Sequence, residues 1–134
     1  EYNSNDIIIE PSAGNGAFID HIKLLGTETL FYDISPEHPE IIKQDFLKLD
    51  YKKSGVTVHV IGNPPFGKQS SLALKFIKKA GEFADTISFI LPKSFKKESL
   101  KKKIPLNFHM IVEEDTNGFV IQKNGILKKH NVPC

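Results

Sequence analysis

A chain of 134 residues, 40% hydrophobic and 25% charged, has apolar material for one small folded domain. No apolar run is long enough to span a membrane, and no basic-then-apolar leader opens it. A net charge of +2 demands no polyanionic partner, and the single cysteine, Cys134, excludes an internal disulfide. The histidines show no ligand spacing with one another or with Cys134, so no metal site is expected. The expected setting is intracellular, cytoplasm or nucleus, with no membrane partner.

In chain order, Asp6-Ile7-Ile8-Ile9-Glu10 is a continuous apolar run that ends in an acid, the pattern of a parallel strand covered on both faces. A Gly14-Asn15-Gly16 turn follows. Apolar residues 18, 19, 22 and 25 then mark one face of a helix over 17–25, with Gly26 as its C-cap. Gly14 and Gly16 permit positive φ and a close approach of ligand to backbone. A plain strand-to-helix turn is the alternative. The dinucleotide fingerprint fails, because Ile19 stands where its third glycine is required.

Thr29–Asp33 predicts a second strand, again ending in an acid, and the two prolines of 35–40 leave room for at most one helical turn. Ile41–Leu47 predicts a third strand and its loop, and 48–55 is a polar connector. Val56–Val60 alternates as a fourth strand. Pro64 and Pro65 must stop it, since neither has an N–H for a ladder, so Asn63 is held at its end on a stiff support. A helix is expected over 72–83, capped by Ser70 or Ser71, with Leu72, Phe76, Ala80 and Phe83 on its core side. Asp85–Leu91 predicts a fifth strand, 94–103 a short lysine-rich helix, and 108–114 and 118–122 two more strands before an Asn124-Gly125 turn.

Two stretches carry a resemblance. Asn63-Pro64-Pro65-Phe66 resembles the catalytic motif of amino-methyltransferases that use S-adenosylmethionine, above all the N6-adenine enzymes. Glu10-Pro11-Ser12-Ala13-Gly14-Asn15-Gly16-Ala17-Phe18 resembles their cofactor motif, in the same order and rough spacing. The resemblance implies a class I methyltransferase fold, an α/β Rossmann-like mixed sheet with helices on both faces. It implies one catalytic domain over 1–134, a fragment or minimal core, cut at or within its closing edge strand.

It also implies site residues. Glu10, Pro11, Ala13, Gly14, Gly16, Asp33, Asp45 and Phe46 would bind S-adenosylmethionine. Glu10 would face the ammonium of its methionine part, and the start of the helix its carboxylate. Asp33 would accept from the ribose, Asp45 from the adenine amine, and the Phe46 ring would pack on the adenine face. The alternatives are a capping role for each aspartate and an ordinary core role for Phe46. Asn63, Pro64, Pro65 and Phe66 would be catalytic. Phe66, with Lys68, Lys93, Lys96 and Lys97, would contact the substrate, expected to be DNA or RNA. A glutamine side chain of a protein is the alternative target, and a non-catalytic binding subunit the alternative role. A partner subunit or a further target-recognition segment is compatible with either.

Overall fold

The computed structural model describes residues 3–65, 71–90, 108–112 and 118–123. Its elements in chain order are β1 (Ile7–Glu10), α1 (Ile19–Lys23), β2 (Glu28–Asp33), β3 (Ile42–Lys43), a 3-10 turn (Phe46–Lys48), β4 (Val58–Gly62), α2 (Ser71–Gly81), β5 (Thr86–Ile90), β6 (Phe108–Val112) and β7 (Gly118–Lys123). They form one seven-stranded sheet in the order β3-β2-β1-β4-β5-β7-β6. The first five strands pair in parallel, and β7 enters antiparallel between β5 and β6.

Strand β7 pairs along its length with β5 on one side and β6 on the other. The third strand is shorter than expected, because the chain folds into the 3-10 turn three residues after Lys43.

The run Ile7-Ile8-Ile9 is apolar throughout because β1 has a parallel neighbour on each edge and a packed layer on each face. Ile9, Val58, Val60, Ile87 and Phe89 point to one side, where Phe76, Ile77 and Ala80 of α2 cover them. Ile8 and Phe31 point to the other, against Ile19 and Ile22 of α1. Helix α1 is only five residues long, shorter than the periodicity of 17–25 predicts. Gly16, at φ 84°, keeps the chain out of the helical region until Phe18, and the helix is capped at Leu24, with the expected cap Gly26 following two residues later at φ 77°.

At the opposite end of the strands, Asp6, His59 and Thr86 form a buried polar row. His59 Nε2 lies 2.8 Å from Asp6 Oδ2, and Nδ1 lies 2.7 Å from Thr86 Oγ1. The row pairs the Asp6 and His59 side chains that this end of the sheet buries.

Phe46 and Phe89 are the largest fully buried side chains among the described residues, and Phe46 packs the 3-10 turn against α2. Its ring stacks on Phe76 at 5.4 Å and meets the edge of Phe83 at 6.0 Å. Phe46→Ala should therefore destabilise the fold by about 3–5 kcal/mol, as large-to-small core changes do. Urea unfolding checks this; a loss below 1 kcal/mol would place the ring outside the core.

Candidate cofactor and active site

Because β1, β2 and β4 run parallel, their carboxyl ends open on one edge of the sheet. Glu10, Asp33 and Asn63 therefore meet there from three distant parts of the chain. The turn after β1 is fastened to the end of β2. The Ala13 N–H donates to the Tyr32 carbonyl at 2.8 Å, and the Gly14 N–H to Asp33 Oδ2 at 2.8 Å. The other oxygen, Oδ1, accepts from the Ser35 N–H at 2.8 Å. Asp33 is thus a capping residue; a carboxylate has about four acceptor positions, so two remain for a ligand.

Gly16 has no room for a side chain, since a Cβ there would lie 2.8 Å from His38 Cδ2 and 2.9 Å from Ile19 Cδ1. The helix start expected to meet the cofactor's carboxylate lies further on than the spacing predicts: Asn15 Oδ1 accepts the Ala17 N–H at 3.1 Å, and the one-turn helix begins at Ile19.

Glu10 is the unusual group of the edge. Its side chain is 2% exposed, and Oε1 has no hydrogen-bond partner among the described residues. Burial pushes its carboxyl up to about 8, and the neighbouring charge of Asp33 adds to the effect. Gly62 makes space beside it, because a Cβ at that position would lie 3.3 Å from Glu10 Cγ and 3.4 Å from Pro11 Cδ. A buried carboxyl without a partner is costly. A cationic ligand group arriving from the edge would supply the missing donor.

A cavity of about 450 Å³ opens beside these residues, within the usual range for small-molecule sites. Pro11, Ser12, Asp33 and Ile34 line one side, Gln44 and Asp45 another, and Asn63 and Pro65 the mouth of β4. Asp45 caps the 3-10 turn, with Oδ1 accepting the Leu47 N–H at 3.0 Å. Phe46 contributes to the cavity floor together with Leu72 and Phe76. The ring expected to pack on the adenine face is 1% exposed, with Phe76 stacked on it, and it reaches the cavity from within the core.

Ala13 is buried in the α1-side core. Gly14 and Gly16 shape the turn without lining the cavity. Asn63 is exposed, Pro64 buried and Pro65 exposed. Phe66, Lys68, Lys93, Lys96 and Lys97, and the expected helix over 94–103, lie outside the described residues. Sequence reasoning gave no role to Ser12, Ile34 or Gln44. Gln44 donates its N–H to the Asp33 carbonyl at 2.9 Å, and its side-chain amide donates to the Asp45 carbonyl at 3.0 Å, joining two of the expected ligand-binding acids. Only its place directly before Asp45 could have suggested this.

Solved structures share the architecture. A protein of Pyrococcus horikoshii named as a candidate RNA methyltransferase aligns over 90% of this chain and 75% of its own, with TM-score 0.60 and 18% identity. An rRNA methylase of Streptococcus thermophilus aligns over 90% of this chain and 88% of its own, with TM-score 0.57 and 18% identity. The fold is that of a class I methyltransferase. Among curated proteins, the type II methyltransferases M.HincII and M.HindII of Haemophilus influenzae are each 37% identical over 75 residues, or 53% of this chain. The matched segment spans 14% of each relative's length. No family model matches the sequence. Within the class I frame, the cavity occupies the edge beyond the carboxyl ends of the strands, where open α/β sheets bind ligands.

The Glu10 carboxyl makes stability depend on pH. Unfolded, it ionises near its ordinary value of 4.5; folded, it keeps its proton to about 8. Between these values the unfolded state binds fewer protons, so stability is full below pH 4.5 and falls as pH rises toward 8, by on the order of a few kcal/mol. Glu10→Gln should flatten this slope in denaturant titrations at pH 5 to 8; an unchanged slope would mean that Glu10 is not its source.

Proposed function

We propose that this chain transfers a methyl group from S-adenosylmethionine to an exocyclic amine, adenine N6 of DNA or RNA. One observation carries the reading. The acids Asp33 and Asp45 line one cavity together with Asn63 and Pro65, and the buried, unpartnered acid Glu10 lies at the same sheet edge, next to the cavity-lining Pro11. The Haemophilus relatives are named as type II methyltransferases, which supports methyl transfer as the activity. The domain that does this is residues 1–134, and a further target-recognition segment or partner subunit is compatible with it.

S-adenosylmethionine supplies an electrophilic methyl group on a sulfonium. Glu10 meets its ammonium, which lowers the cost of ionising the buried carboxyl. The free acceptor positions of Asp33 take a ribose hydroxyl, and Asp45 takes the adenine amine. A target amine conjugated to a ring is a weak nucleophile. The Asn63 side-chain oxygen and the Pro64 carbonyl each accept one of its N–H groups, which turns its lone pair toward the methyl. This is catalysis by positioning and electrostatics, with no covalent enzyme intermediate. Phe66 stacks on the target base, which leaves a duplex to reach the site. Lys68, Lys93, Lys96 and Lys97 meet the phosphates.

The test is transfer of a tritiated methyl group to adenine-containing DNA and RNA and to a glutamine peptide. The parent should label nucleic acid, and Asn63→Ala should lower the rate on the order of a hundredfold or more. The rise in melting temperature caused by the cofactor should persist in that variant and shrink in Asp33→Ala. Labelling of the peptide alone, or an Asn63→Ala rate equal to the parent's, would overturn the reading.

A further inference from the structure

Ser12 belongs to the turn after β1, yet its hydroxyl reaches across the edge and donates to the main-chain carbonyl of Asn63 at 3.1 Å. The two residues are 51 apart in sequence and line the same cavity. We propose that Ser12 is a positioning residue that aims the Asn63-Pro64-Pro65 turn at the reacting amine. This rests on the function proposed above and adds to it a residue that acts through Asn63.

The reason lies in which torsions of that turn are soft. The rings of Pro64 and Pro65 fix both φ angles near −65°. Asn63 and Pro64 each precede a proline, so both are confined to extended conformations. Pro64 and Pro65 therefore move as one stiff unit, and its direction is set chiefly by ψ of Asn63. That angle is the orientation of the Asn63 carbonyl, the group that the Ser12 hydroxyl holds. Rotation at this joint swings the Pro64 carbonyl relative to the Asn63 side chain. Those are the two acceptors that must grip one amine together, and a misplacement of about 1 Å is enough to cost catalysis heavily.

The neighbouring contact reinforces the same junction. The Glu10 side chain and Pro11 pack where a Cβ of residue 62 would stand. The segment Glu10-Pro11-Ser12 thus touches both Gly62 and Asn63, and the end of β1 fixes the end of β4 by packing and by one hydrogen bond. Asn63 itself is exposed, and among the described residues the Ser12 hydroxyl is what reaches its carbonyl.

The experiment compares the parent, Ser12→Ala and Ser12→Thr on a single-stranded adenine-containing oligonucleotide. Two readouts are taken: steady-state kinetics with cofactor affinity, and NMR order parameters of the Asn63 side-chain amide without cofactor. Ser12→Ala should lower kcat about three- to tenfold, the size of one hydrogen bond open to water. Its cofactor Kd and melting temperature should stay near the parent's, and its Asn63 order parameter should fall. Ser12→Thr, which keeps the hydroxyl, should restore both kcat and order. Unchanged Asn63 order in Ser12→Ala overturns the proposal, and so does a fall in cofactor affinity that matches the fall in rate. A parent that binds no cofactor and transfers no methyl group, while its Asn63 order still depends on the Ser12 hydroxyl, would overturn the proposed function and leave the positioning contact established.

Discussion

The hydrogen bond from the Gly14 N–H to Asp33 Oδ2 is the contact on which the site depends. It ties the turn leaving the central strand to the end of the next strand, so the chain emerges from β1 in one direction. With the Ala13-to-Tyr32 bond beside it, the turn cannot lift from the sheet without breaking two backbone contacts. Gly16, pressed against His38, then carries the chain into α1. The cavity between Ser12, Asp33, Asp45 and Asn63 exists because these fastenings hold its walls apart.

The same edge concentrates cost. A buried carboxyl with an unpartnered oxygen, an exposed asparagine ahead of two prolines, and a glycine that must stay a glycine are each poor choices for stability alone. They gather where the parallel strands end, while at the opposite end the buried Asp6 and His59 side chains pair in a row with Thr86.

Much of this was legible in the sequence. The run Ile7-Ile8-Ile9 announced a strand buried on both faces, and Pro64 and Pro65 announced the end of β4. The 3.6-residue spacing of Leu72, Phe76 and Ala80 announced α2. What stayed hidden depended on contacts between distant segments. Phe46 follows an acid in the loop after β3, but its packing on Phe76 and Phe83, some thirty or more residues later, could not be read from that position. Ser12 is an unremarkable hydroxyl in a glycine-rich turn until the sheet order brings Asn63 beside it. The start of α1 was misplaced because φ at Gly16 and the Asn15 side chain, rather than hydrophobic spacing, decide where it begins.

The central claim is that the sheet edge carrying Glu10, Asp33, Asp45 and Asn63 binds S-adenosylmethionine. Titrating the isotope-labelled chain with the demethylated cofactor and following backbone amide resonances tests it most directly. The amides of Gly14, Gly16, Asp33, Asp45 and Asn63 should shift saturably, while those of Asn3, Asp6 and Thr57 at the opposite end stay in place. No saturable shift at millimolar ligand, or shifts confined to the Asp6 end, would contradict it.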